Sequence, residues 1–278
     1  PRQSHDALLA DVAAAPSEHD SFHLWWLGQS GFLLKWNSRH LLFDPYLSDS
    51  LTKKYAETDK PHVRMTELCV DPARLHFIDV VTSSHNHTDH LDGETLIPLL
   101  NVNANLSVIV PWANNEFAAN RLNVPLERLL VCDAGQRVVD KGFDVHGVPA
   151  AHERIDRDEN GRCHYLGYVV QFGEWTVYHS GDTVRYDGMT ETLGQWSIDI
   201  AILPINGRAP ERRVAGNLWG KEAAQLARDI GAKLVIPCHY DMFQFNTAAP
   251  DEFVRECEQL GQAYRVLQCG ERFTWPIS

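Results

Sequence analysis

The chain has 278 residues, 44% hydrophobic and 22% charged, the balance of a globular protein with a sizeable core rather than of a disordered segment. A net charge of −12 gives no long-range attraction to nucleic-acid backbones or anionic membranes, so neither partner is expected. The six cysteines are scattered without a C-x-x-C pair, which argues against a zinc ribbon or disulfide scaffold and fits reduced thiols in a cytoplasm.

Residues 1–20 contain an Ala-rich stretch that predicts a leader helix or extension ahead of a single domain spanning 1–278. No apolar run is long enough for a bilayer. "FHLWWLGQSGFLLKW" reads as two strands around a Gly-containing turn, and "RHLLFDPY" as a third. The charged, Pro-bearing segment "SLTKKYAETDKPHVRMTELCVDP" lacks periodicity and predicts a long surface loop that could rim a pocket.

Short β-branched runs then alternate with helical spacing. "IDVVTSS" and "LSVIVP" predict strands, "NNEFAANRLN" a helix and "RLLVCD" a strand. "QRVVDKGFDVHGVPAAH" and "HYLGYVVQFGEWTVYHSGD" predict strand pairs, the second turning at "FGEW". The last third gives a strand in "IDIAILPIN", a helix in "GKEAAQLARDIG", a strand in "AKLVIPCHYD", a helix in "APDEFVRECEQLG" and two closing strands. Meanders mixed with helical crossovers predict an α/β fold: two sheets packed together with helices outside, a four-layer αββα sandwich.

Three of these apolar runs end in residues able to donate an electron pair to a cation: "TSSHNHTDHLDG", "YHSGD" and "PCHYD". The first packs His85, His87, Asp89 and His90 into six positions; the others end in Asp182 and His239, and His152 follows "DVHGVPAA". Strand ends hold loop stems rigidly, so one sheet edge can collect all seven. Imidazole and carboxylate without thiolate suit a catalytic centre of zinc or manganese, and iron also fits. Seven ligands exceed the need of one tetrahedral ion and match two neighbouring ions, with Asp182 a natural bridge. By contrast, His5, His19, His40, His62 and His76 stand alone and read as surface or hydrogen-bonded residues.

The H-x-H-x-D-H pattern at 85–90, with His152, "HSGD" and "PCHYD", resembles the metallo-β-lactamase superfamily. "WWLGQSGF", "YHSGDT", "LVIPCHYDMF" and "GERFTWP" are similar to the branch that contains the L-ascorbate-6-phosphate lactonase. The resemblance runs from about Leu24 to Pro276. It implies an αββα sandwich with a dinuclear site: His85, His87 and His152 on one ion, Asp89, His90 and His239 on the other, Asp182 between them. It also implies that Asp44, in "LLFDPY", supports the site from behind the ligands.

Such a centre predicts a metal-dependent hydrolase that uses a metal-bridging hydroxide, with Asp89 orienting or deprotonating the water. The expected substrate is a small molecule, a sugar-acid lactone that could be phosphorylated, with Arg208, Arg212 and Arg213 as candidate contacts to an anionic group. Lys221, Arg154 and Arg185 are further candidate cations. A phosphodiesterase, phospholipase or nuclease on the same centre is one alternative; a metal-binding sensor or scaffold without turnover is another. A homo-oligomer is compatible with the sequence.

Overall fold

The computed structural model describes residues 1–213 and 215–277. A seven-stranded sheet has the order β13-β1-β2-β3-β4-β5-β6, built from β1 (Phe22–Gly28), β2 (Gly31–Trp36), β3 (Arg39–Phe43), β4 (Val80–Thr82), β5 (Ser107–Pro111), β6 (Leu129–Cys132) and β13 (Arg272–Trp275). A six-stranded sheet has the order β12-β11-β10-β9-β8-β7, built from β7 (Arg137–Asp140), β8 (Phe143–Pro149), β9 (Leu166–Phe172), β10 (Trp175–His179), β11 (Ile200–Pro204) and β12 (Leu234–Cys238).

Strand direction decides where the chemistry collects. In the first sheet β2 is antiparallel to both β1 and β3, and β3 is parallel to β4, so β1, β3 and β4 all end at the same edge. In the second, β9 is antiparallel to both β8 and β10, and β10, β11 and β12 run parallel, so β8, β10, β11 and β12 share an edge too. The carboxyl ends of co-directional strands are where α/β sheets present ligand-binding loops. Each predicted ligand, and Asp44, follows the end of one of these strands.

The sheets meet through one apolar core that includes Trp25, Phe32, Phe43, Tyr168, Tyr178, Ile202 and Val235. Every residue of β1, β11 and β12 is buried, as expected of strands covered on both faces. Near the site the contact becomes polar and specific. Phe43 stacks on His179 with ring centroids 5.1 Å apart, and Tyr168 Oη donates to Ser83 O at 3.0 Å.

Helices complete the layers. α4 (Asn115–Leu122) packs on β5 and β6 of the first sheet, and α3 (Gly93–Val102) packs on α4. The short α5 (Met189–Leu193) packs on β8, while α6 (Gly220–Asp229) packs on β11, β12 and α7 (Asp251–Leu260). Gly261, at φ +62°, takes the left-handed conformation that ends α7. The fold is the αββα sandwich that the sequence predicts. Among the described residues no helix is long and apolar enough to cross a membrane.

Three segments differ from the sequence reading. The predicted long loop contains a helix, α2 (Ser50–Tyr55), and a 3-10 turn at Pro72–Arg74. Gly93–Val102 forms α3 despite Pro98, which obscures the helical pattern; burial of Leu96 and Leu99 supports it. Only one of the two closing strands forms, because Tyr264 makes a single bridge to Val235 in place of a ladder. At the other end α1 (His5–Ala14) is docked: Leu8 and Val12 are buried, and the buried Lys35 ammonium donates to Val12 O at 2.9 Å and Ala15 O at 2.7 Å.

Candidate metal centre

Strand β4 ends at Thr82, and the chain turns through Ser83 and Ser84 into His85, His87, Asp89 and His90. β3 ends one residue before Asp44, β10 delivers Asp182, β12 delivers His239, and β8 leads to His152. Two of these residues sit in left-handed backbone, Asp44 at φ +38° and His239 at φ +62°, and so does Gln29 at φ +51° after β1. Such strained residues at strand ends mark places where the surrounding structure enforces a local geometry.

All seven predicted ligands converge. Donor atoms lie within 4.8 Å of one another in three overlapping groups: His85, His87 and His152; His85, His90 and Asp182; and Asp89, His90 and His239. Asp182 sits between the outer groups, its carboxylate 3.3 Å from His90 Nε2, 3.4 Å from His239 Nε2 and 3.6 Å from His152 Nε2. Gly181 makes this approach achievable. Its φ is +59°, and a Cβ there would lie 2.6 Å from Ser84 Cβ.

The buried Asp44 carboxylate organises the histidines. Oδ2 accepts from His90 Nδ1 at 2.6 Å and from Ser84 Oγ at 2.5 Å, while Oδ1 accepts from Ser84 N at 2.7 Å. Since Ser84 Oγ gives its proton to Asp44, it accepts from His85 Nδ1 at 2.9 Å. His152 Nδ1 likewise donates to Gly216 O at 2.8 Å. In each ring Nδ1 is engaged, so Nε2 is the nitrogen left to face a metal.

Electrostatics fit a cation. Burial opposes charge on His90, but Asp182, Asp89 and Asp44 outweigh it and hold its pKa well above the usual range. Burial likewise opposes charge on His239, yet Asp182 and Asp89 push it up to about 9. At His87 burial outweighs the pull of Asp89 and pushes the pKa down to about 4. Burial would raise Asp89 and Asp182, but the neighbouring histidines hold both well below the carboxylate range. The carboxylates therefore keep protons on His90 and His239 until a stronger positive charge replaces them.

His85 Nε2, His90 Nε2 and Asp182 Oδ1 are buried without a hydrogen-bond partner, and these three residues form one of the close groups. Orphaned buried donors and acceptors are costly in a native fold, and a shared metal ion satisfies all three. The residues present thus fit a metal centre.

The cluster opens into a cavity of about 710 Å³, which also bears Arg212 and Arg213. Arg208 is not brought there. Its guanidinium is held by Glu222 at 2.6 and 2.7 Å, away from the cavity lining. Arg154, Arg185 and Lys221 do not line it either, and Arg185 pairs with Asp229 at 2.7 Å.

Several cavity residues have no role in the sequence reading. Gln29 Nε2 donates to Asp89 Oδ2 at 2.8 Å and lies 3.2 Å from His239 Nε2; its signal was its place in "GQSG". His62, read as an ordinary lone histidine, forms part of the wall with Tyr55, Phe243 and Phe245. Their convergence comes from separate loops, which no local spacing reveals.

The family model of the beta-lactamase superfamily domain matches residues 39–240, a span that includes Asp44 and all seven clustered residues. The chain belongs to that superfamily. It is similar to a UPF0173 metal-dependent hydrolase of Methanopyrus kandleri, 29% identical over 89% of this chain and 97% of the relative. It is also similar to a "probable L-ascorbate-6-phosphate lactonase" of Escherichia coli, 24% identical over 92% of this chain and 82% of the relative. Among solved structures, a possible metal-dependent hydrolase of Veillonella parvula superposes with a TM-score of 0.71 at 16% identity, over 90% of this chain and 98% of the other. That likeness establishes the superfamily fold.

Proposed function

We propose that the protein is a metal-dependent hydrolase that adds water to the carbonyl of a lactone or similar ester and breaks its acyl C–O bond, releasing acid and alcohol. The observation that carries this reading is the set of three overlapping ligand groups, with three orphaned buried atoms, beside a cavity sized for a small molecule. The curated relatives support it, one group named as metal-dependent hydrolases and another as a lactonase.

His85, His87 and His152 would hold one divalent ion and Asp89, His90 and His239 a second, with Asp182 reaching both. Zinc, manganese and iron all accept this donor set. When bound, the ions supply a water acidified to near neutral pH and positive charge for the oxygen that becomes negative.

The chain's own residues do the rest. Asp89 lines the cavity, and Gln29 Nε2, 2.8 Å from its Oδ2, fixes the carboxylate so that it can orient a water and take its proton. Asp44 and Ser84 keep His90 and His85 in the tautomer that presents Nε2. Arg208, held by Glu222, gives no support to a phosphate contact, whereas Arg212 and Arg213 line the cavity, so the lactone is tested with and without a phosphate.

The test is hydrolysis of a lactone and ester panel by protein stripped of metal and then reloaded with manganese or zinc. Turnover that appears only on reloading and is lost in Asp182→Ala supports the reading. Full metal occupancy with no turnover on lactones, esters or phosphodiesters would sink it in favour of a sensor or scaffold.

A further inference from the structure

The cavity lining beyond the ligand cluster has an unusual composition. Tyr55 and His62 come from the segment after β3, Phe243 and Phe245 from the segment after His239, and Phe117 from α4. Four of these rings form one wall. Tyr55 and His62 stack with centroids 4.5 Å apart at 24°, and His62 meets Phe243 and Phe245 edge-on at 5.1 and 5.3 Å. Phe243 is buried in a small separate core with Tyr46, Leu51 and Met242, so the wall has a rigid backing. Phe117, 43% exposed, stands outside that cluster with the Arg121 guanidinium 4.4 Å over its ring.

Four cationic side chains of the cavity are already engaged. Arg213 is paired with Asp59, and Lys60 donates to Glu211 O. Arg212 donates to Asn206 O at 2.5 Å and Asn246 Oδ1 at 3.2 Å, and Arg121 to Asn86 O at 2.7 Å and Leu91 O at 3.0 Å. An anionic substrate would compete for those four cations with the partners they already hold, whereas Lys54, 5.1 Å over the Tyr55 ring, has no ion pair among the described residues. A ring settling on Phe245 or Tyr55 costs no hydrogen bond; it shares those rings with Lys60 and Lys54, whose ammonium groups lie 5.1 Å from the two centroids.

We propose that the cavity recognises an uncharged aryl group, carried by the substrate beside the carbonyl that is hydrolysed. This deepens the ester or lactone hydrolase reading and rests on it for the position of the scissile bond. A flat ring gains edge and stacked contacts with Tyr55, His62 and Phe245 that a saturated ring of similar size lacks, about threefold to tenfold in affinity for a well-placed pair.

Two measurements on the metal-loaded protein test this. The first compares kcat/KM for benzyl acetate, cyclohexylmethyl acetate and a carboxymethyl ester. The second compares binding of N-benzylacetamide and N-(cyclohexylmethyl)acetamide by ligand-observed NMR, which needs no turnover. The expected result is a preference of about tenfold for the benzyl compounds in both. Tyr55→Leu and Phe245→Leu keep apolar bulk and should bring both ratios towards one. Equal handling of aryl and saturated rings by the wild-type protein, or preference for the anionic ester, would overturn the proposal while leaving the hydrolase intact. Benzylacetamide binding that is selective and weakened in Phe245→Leu, with no ester turned over, would uphold the aryl site and overturn the hydrolase.

Discussion

Asp44 Oδ2 and His90 Nδ1 lie 2.6 Å apart, both fully buried, and the same carboxylate oxygen takes the Ser84 hydroxyl that in turn accepts from His85. One carboxylate therefore orients two imidazoles that share the central group with Asp182 and that each also belong to one of the two outer groups. Losing it should weaken both ends of the centre together. Asp44→Asn is expected to lower metal affinity about 10–100-fold, as removal of outer partners of histidine ligands commonly does. Ser84→Ala, which spares His90, should cost less, and competition with a chromophoric chelator measures both.

Metal binding should release protons. His239, raised to about 9, and His90, also raised, are protonated in the metal-free protein at pH 7, and an ion must displace both protons. Apparent affinity is therefore expected to fall by about tenfold per pH unit through the His239 proton as pH drops below 9, and more steeply where His90 also has a proton to give up. Calorimetry in buffers of different ionisation enthalpy counts the protons; a count of zero at pH 7 would contradict this assignment.

The same groups set the pH range in which the metal-free fold is strongest. A histidine raised to about 9, such as His239, stabilises the fold below about pH 6.5, and that contribution disappears as pH rises towards 9. Histidines lowered to about 4, His87 and His40, act oppositely: their contribution is present above about pH 6.5 and is lost as pH falls towards 4. Thermal melts of metal-free protein should thus peak near pH 6.5. Metal-loaded protein should lose the alkaline decline, because the ion takes the place of the histidine protons.

Gly181→Ala should damage stability and site together. The added Cβ meets Ser84 Cβ at 2.6 Å with φ at +59°, so both a clash and a strained backbone arise. A loss of about 2 kcal/mol or more in unfolding free energy is expected, with weakened metal binding. Denaturant unfolding measures the first.

Arg208→Ala should matter little. Its pair with Glu222 is 42% exposed on the arginine side, which limits the stability cost to about 1 kcal/mol or less. Hydrolysis of a lactone should stay within about twofold of wild type, and a large rise in KM would show that the guanidinium reaches the substrate after all.

The fold and the ligand cluster were legible because their signals are local. Apolar runs ending in His85, Asp182 and His239 announce both a strand and its chemical end, and four donors within 85–90 have no packing purpose. Ser84 and Gln29 were not legible, since their roles depend on which oxygen or nitrogen faces them across the sheet edge. Arg208 shows the converse: its charge is visible in the sequence, but its partner on α6 is not. The aromatic wall escaped because His62 and Phe245 lie far apart in the chain and belong to irregular segments.

The most direct test is calorimetric titration of the metal-free protein with zinc or manganese, wild type beside Asp182→Ala. The account predicts two ions per chain in the wild type and loss of tight binding at both positions in the variant, because Asp182 lies between the two groups. A variant that binds two ions as tightly as wild type would contradict it.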